Sequence, residues 1–328
     1  MWPERRDASG RAGPTPAMTR GSRFRRSSHG LYVPSDVPCS VEQRIVEAYA
    51  VHRAGVLTGW AGLRWLGGTW FGGGTSSPVP IVLVENEGRT RQPGLVQMSQ
   101  EFLALREVLR IDGVRTTSAV RSVAYEMRRA PDPLRAEQSF AMAAYDDLVS
   151  IDELARYCEE ELPRWTGVQT VRDVLPRLTE NAWSPTEVTM RWVWLQARPA
   201  ARLVCNTPVF SLEGRHLGTP DVLDLDSGVR GEYQGSLHLA GERRAQDVVR
   251  DEVLAGAGLE MAIMLAADLR DPRRFVQRLE GAYERAAGRP RRWTTEQPEW
   301  WVDTTTVARR RALRGRDRER LLRYRRAA

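Results

Sequence analysis

The residues best suited to chemistry lie in and around one stretch, TPDVLDLDSGVRGEYQG. Asp221 follows Pro220, Glu232 comes eleven residues later, and Gln234 stands two positions beyond it. Side chains alternate along a strand, so Glu232 and Gln234 share one face. Carboxylates brought close together are the hard oxygen ligands that Mg²⁺ takes at about 2.1 Å, and a bound water then loses its proton more readily. Gln234 is neutral and neither anchors a metal strongly nor acts as a base. His238 follows, and an imidazole with a pKa near about 6.5 can activate water or protonate a leaving oxygen. Upstream, SPTEVTMRWVWLQA reads as a helix with Ser184 at the N-cap, Pro185 first and Glu187 third. Glu187 is either the reciprocal partner of a capping box or a further site carboxylate.

Each of these residues also has a structural reading. Asp221 can cap or turn the chain after Pro220, and Asp224 or Asp226 can shape the turn before Gly228. Glu232 sits mid-strand between small residues, a costly place for a carboxylate unless it is exposed or partnered. His238 is equally a satisfied structural histidine. Arg243, Arg244 and Arg250 form a phosphate-facing stripe on the following helix, although Arg250 also suits pairing with Asp247, Asp251 or Glu232. Trp183, Trp192 and Trp194 belong to core and rim rather than to a base-stacking platform.

These residues need positioning elements, and the pattern after Thr179 supplies them: a helix, a hairpin turning at Glu213-Gly214, further strands ending in GVRGEYQ, a long helix to a glycine turn at Gly258, and a last strand LEMAIMLAADL. The order is α-β-β-β-α-β. Before it, HGLYVP, PVPIVLVENE and GLVQMSQ read as strands, and Val41 to His52 and GWAGLRWLGG as helices. GVRTTSAVRSVAYEMRRA reads as a strand and then a helix capped by Thr116 or Thr117. PLRAEQSFAMAAYDDL and SIDELARYCEEEL follow as helices, the second with a Ser150/Glu153 capping box. The fold class is α/β (α+β), a mixed helical and strand domain followed by the α-β-β-β-α-β unit.

TPDVLDLDSGVRGEYQG resembles the bipartite motif of the PD-(D/E)xK, restriction-endonuclease-like nucleases. Glu232-Tyr233-Gln234-Gly235 with His238, and the helix RAQDVVRDEVLAGAG after it, are similar to the very-short-patch-repair-like branch. The resemblance implies Mg²⁺, with Mn²⁺ as substitute, held by Asp221 and Glu232. It implies a catalytic set of Glu187, Asp221, Glu232, Gln234 and His238, and DNA as partner. Relatives show Asp, and the wider superfamily Lys, where Gln234 stands. The earlier region, through FRRSSHGLYVP, VLTGWAGLRWLGG and IDGVRTTSAVRSVAYEMRR, resembles actinobacterial proteins related to the AbiEi-like antitoxins. That resemblance implies a partner toxin and a non-catalytic regulator as the rival to a nuclease; its members carry a winged helix-turn-helix before the GLYVP-like strand, and here that segment is too short and polar to hold both helices, so that at most the wing is expected.

All 49 basic residues are arginine, which removes lysine-based mechanisms. The net charge of +7 is concentrated in residues 288–328, where thirteen arginines face five acids, while residues 1–287 sum to −1. The sequence therefore divides into a disordered basic arm over 1–29 with Met18 as an alternative start, an antitoxin-like domain over 30–170, a nuclease-like domain over 175–287, and an Arg-rich tail over 288–328. In the tail Arg309, Arg310 and Arg311 are candidate phosphate ligands. Three scattered cysteines suggest neither disulfides nor zinc. With no signal peptide and no apolar run of roughly 20 residues, the expected setting is the cytoplasm, away from membranes.

Overall fold

The computed structural model describes residues 1–74, 77–83, 92–235 and 241–323, with backbone alone for 241–248. It divides into two compact units, one of Met1–Arg129 with Tyr157–Arg164, the other of Ala130–Arg156 with Trp165–Ala328.

The first unit holds two sheets. A three-stranded antiparallel sheet is ordered β1 (Glu4–Arg5), β3 (Leu31–Pro34), β2 (Phe24–Ser28). The arm expected to be disordered is thus folded. Composition misled because little of the arm's cohesion is hydrophobic: Arg25 forks onto Glu47 at 2.6 and 3.0 Å, the Met1 amine donates to Gln43 at 2.8 Å, and the backbone pairs with the LYVP strand. Gln43 and Glu47 lie on α1 (Val41–Tyr49), which Ser40 caps. The larger sheet runs β6-β5-β4-β8-β7, from β4 (Gly55–Leu57), β5 (Val79–Leu83), β6 (Val96–Ser99), β7 (Val108–Ile111) and β8 (Val114–Thr117). Helix α2 (Gly59–Trp65) follows β4, and Ile45, Tyr49, Leu57, Ala61 and Ile81 meet in a buried core. Helix α3 (Ala119–Arg128) is capped by Ser118, whose Oγ accepts from the Arg121 N–H, one residue beyond the two threonines the sequence suggested. Thr116 and Thr117 instead belong to β8 and are fully buried.

Helix α4 (Pro133–Tyr145) belongs to the second unit, so the first ends at Arg129 rather than near residue 170; the division also passes through α5 (Ile151–Glu160). The cause lies in polar contacts of α4: Gln138 donates to the Pro185 carbonyl and to Thr189, both at 3.0 Å, and buried Glu137 meets Arg177 and Arg191. After α6 (Val168–Val174), α7 (Pro185–Ala197) opens the unit's central layer. The strands are β9 (Leu203–Cys205), β10 (Val209–Ser211), β11 (His216–Gly218), β12 (Val222–Asp224) and β13 (Val229–Gln234); α8 (Gly241–Gly256) then leads to β14 (Glu260–Leu265). The central sheet is β9-β12-β13-β14, antiparallel except for the last pair, where β13 and β14 run parallel from Val229↔Glu260 to Gln234↔Leu265.

Register decides which face each site residue takes. Gly231 opposes Val222 and passes under α7, where an added Cβ would sit 2.9 Å from Met190 Sδ and Trp194 Cζ3. The neighbouring positions, Arg230 and Glu232, therefore turn to the other face, which α8 covers through Leu254 packed with Leu223, Leu217 and Leu259. On the α7 face, Trp194 is fully buried against Phe275 and Tyr283 of α9 (Arg273–Ala286). Tyr283 Oη donates to Asp224 at 2.8 Å, which fixes Asp224 as a structural acid. The hairpin turns at Gly214, whose φ of +82° needs no Cβ to be accommodated.

The described part of the tail, through residue 323, is also folded in. Strand β15 (Trp293–Thr294) pairs with β10, and Trp293 is buried among Val209, Leu223 and Leu254. Helices α10 (Val307–Ala312) and α11 (Gly315–Leu321) follow. Among the described residues no helix is long and apolar enough to cross a membrane.

Candidate functional site

Three acids that lie far apart in sequence come together in the second unit. Glu187 is third in α7, and its carboxylate accepts from the Trp183 N–H rather than from the Ser184 N–H that a reciprocal capping box would use. Its backbone N–H donates to Ser184 Oγ at 3.2 Å, so the cap is formed. Its carboxylate faces inward: Oε1 accepts from Ser184 Oγ at 3.0 Å, and Oε2 accepts from the Trp183 N–H at 2.7 Å and from Asn206 Nδ2 at 2.6 Å. Asp221 stands just before β12, where Oδ2 accepts the Tyr233 N–H at 2.8 Å, clamping it to β13. Glu232 lies within β13, buried, with Oε1 accepting from Arg230 Nη1 at 2.9 Å and Oε2 lying 3.8 Å from Arg250.

The electrostatics of the three are linked. Burial, reinforced by the charge of Asp221, pushes Glu187 up to about 8 and Glu232 up to about 7. Burial also raises Asp221, while its bond from Tyr233 and the charges of Arg250 and Arg230 oppose the rise. Positive charge from Arg230 and Arg250 opposes the rise in Glu232 without cancelling it. Arg230 supplies part of that charge: it is almost fully buried and bridges Glu232 to Asp251 at 2.9 and 2.8 Å.

Among the described residues, no group of three or more His, Cys, Asp or Glu gathers as a ready-made metal cage. The donor set nevertheless fits a single hard divalent cation, because Asp221 and Glu232 are oxygen ligands with raised proton affinity and Mg²⁺ fills its remaining positions with water or phosphate oxygen.

The other sequence candidates are distributed differently. Gln234 shares the face of Glu232 but is exposed at the end of β13. His238 lies outside the described residues. Arg243 and Arg244 fall in the first turn of α8, and their side chains are likewise outside the description. Arg309 pairs with Asp303. Arg310 is 0% exposed, paired with Asp147 at 2.6 Å and donating to the carbonyls of Ala144, Glu180 and Thr304. Arg311 meets Glu153 at 2.7 Å and the carbonyls of Asp147 and Leu148. The phosphate-binding role expected of Arg310 is therefore corrected: a long side chain with five donors has found buried acceptors instead.

Sequence reasoning missed Asn206 and Arg230. Asn206 has φ of +46°, a conformation asparagine tolerates better than most residues, and the C-N-T step after a strand was its only signal. Arg230 stood two residues before Glu232, so the same alternation that placed Gln234 could have placed it too.

Comparison of the chain with protein-family models, curated proteins and solved structures gives no match.

Proposed function

We propose that the second unit is a restriction-endonuclease-like domain that cleaves or nicks DNA phosphodiesters with Mg²⁺ or Mn²⁺, in a cytoplasmic protein whose first unit is antitoxin-like. The observation that carries this reading is the placement of Asp221, half-buried just before β12 and tied to β13 by the Tyr233 N–H, close enough for its charge to act on both buried glutamates, Glu187 at the start of α7 and Glu232 on β13. The strand order β9-β12-β13-β14, with a helix before it and another between its parallel pair, supports the same reading. A divalent cation bound by Asp221 and Glu232 would polarise the phosphoryl oxygen and lower the pKa of an attacking water. The Tyr233 N–H orients Asp221, Arg230 orients Glu232, and Glu187 holds Trp183 and Asn206 at the edge of the cluster.

A second reading, a DNA-associated regulator that keeps the fold without the chemistry, is favoured by the Arg230 bond to Glu232 and by the neutral Gln234. Calorimetry of the full chain with Mg²⁺ and with Mn²⁺, set beside the Asp221→Asn, Glu232→Gln double variant and followed by cleavage assays on paired, mismatched and single-stranded DNA, separates the two. Binding that the variant abolishes, together with cleavage, is the expected result. No binding to the unaltered protein would leave the regulator as the function.

A further inference from the structure

Beside the acid cluster lies a cleft of about 440 Å³, walled by Trp183, Asn206, His216, Thr219, Trp300 and Trp301. Two of these walls are shared with the acid cluster: Trp183 and Asn206 are the residues whose N–H groups hold Glu187 Oε2. The rings form a stepped aromatic wall. His216 lies over Trp301 with centroids 4.8 Å apart and planes 35° off parallel, and Trp300 stands against Trp301 at 5.5 Å and 75°. Trp300 is 61% exposed, an unusual position for an indole. Burial lowers the pKa of His216, so its ring is a neutral surface.

One lining residue carries a buried polar atom short of a partner. Asn206 is 2% exposed, and its Nδ2 donates both to the Asn181 carbonyl at 2.8 Å and to Glu187 at 2.6 Å. Those two acceptors fix the orientation of the amide, leaving Oδ1 as a buried acceptor without a hydrogen-bond partner. The rings suit flat π surface, and an N–H donor brought to Asn206 would meet its open acceptor. Arg320, also in the lining, brings a cation suited to an adjoining phosphate.

We propose that the cleft receives one unpaired nucleobase, stacked on the tryptophan wall with an edge N–H donated to Asn206 Oδ1, so that the substrate is DNA carrying an extrahelical or single-stranded nucleotide next to the scissile phosphate. This rests on the nuclease reading for the identity of the polymer, and the base requirement is separable from cleavage. The duplex forms tested are fully paired, bulged by one unpaired cytosine, and bulged by an abasic residue. Each is fluorescently labelled and titrated with the full chain in EDTA, by anisotropy. The cytosine bulge binds roughly tenfold more tightly than the other two, the loss expected when one base–aromatic stack is removed. Trp300→Ala, at an exposed position, abolishes that preference without lowering the melting temperature. Equal affinity for all three duplexes overturns the proposal, as does a Trp300→Ala variant that keeps the preference. Cleavage assays with Mg²⁺ then divide the outcomes. Preference without cleavage removes only the nuclease reading, cleavage without preference removes only the cleft, and binding to none of the duplexes removes both.

Discussion

Glu187 offers a perturbation whose size follows from its surroundings. Its pKa of about 8 in the folded chain stands against 4.5 ordinarily, raised by burial and then by the charge of Asp221. The folded state thus holds a proton that the unfolded state has released, across the whole window between the two values. By linkage, stability is greatest at the acid end and falls as pH rises through that window. One pH unit of such a gap corresponds to about 1.4 kcal/mol. Even if less than half is expressed, about 2 kcal/mol separates the two ends, or roughly 4–8 °C in melting temperature for a unit of this size. The hydrogen bonds indicate where the proton sits. Oε2 accepts from two N–H donors that cannot reverse, whereas Oε1 faces Ser184 Oγ, a hydroxyl that can turn and accept. Glu187→Gln, with its amide nitrogen in the place of Oε1, reproduces the protonated state and keeps every bond. Differential scanning fluorimetry without divalent metal, between about pH 5 and about pH 8, is therefore expected to show the unaltered protein losing several degrees. The variant should lose less, and should melt higher than the unaltered protein at the alkaline end. A residual slope survives below about pH 7, partly from Glu232, and Glu232→Gln added to the first change reduces it. Equal slopes for the unaltered protein and Glu187→Gln would refute the assignment of a buried protonated acid.

Two further expectations concern the rest of the chain. Arg310→Ala leaves Asp147 and three carbonyls short of a donor, and loss of one partner of a buried pair costs about 3–5 kcal/mol, so thermal unfolding should move down sharply; an unchanged melting temperature would make the ion pair irrelevant. Cys39 is exposed, while Cys158 and Cys205 are buried and burial holds the Cys205 thiol up at about 12, so a thiol reagent at neutral pH should label one cysteine rapidly and the others only on denaturation; fast labelling of Cys205 would contradict the closed environment of the acid cluster.

What was legible in the sequence was local. The S-P-T-E start of α7, the Ser150/Glu153 box and the Glu213-Gly214 turn are written in residues within four positions of each other, and alternation alone put Glu232 on the strand. What was not legible depends on partners far along the chain. Arg310 finds Asp147 and the Ala144 carbonyl more than a hundred residues away in sequence, and Arg25 finds Glu47 across 22, so a composition that looked too polar to fold concealed two ordered segments. The absence of lysine sharpens this effect, because every cation here is a planar fork able to bridge two acceptors at once.

The same property governs the acid cluster. Arg230 bridges Glu232 and Asp251, and Arg250 stands 3.8 Å from the other oxygen of Glu232. A divalent cation must therefore compete with a guanidinium for Glu232, whereas among the described residues Asp221 accepts from the Tyr233 N–H and makes no ion pair. Asp221 accordingly provides the stronger point of metal attachment, and Asp221→Asn should weaken binding more than Glu232→Gln does. In a series of calorimetric titrations with Mn²⁺, the reverse order would mean that Arg230 yields Glu232 readily and that the bridge to Asp251 is the part that moves.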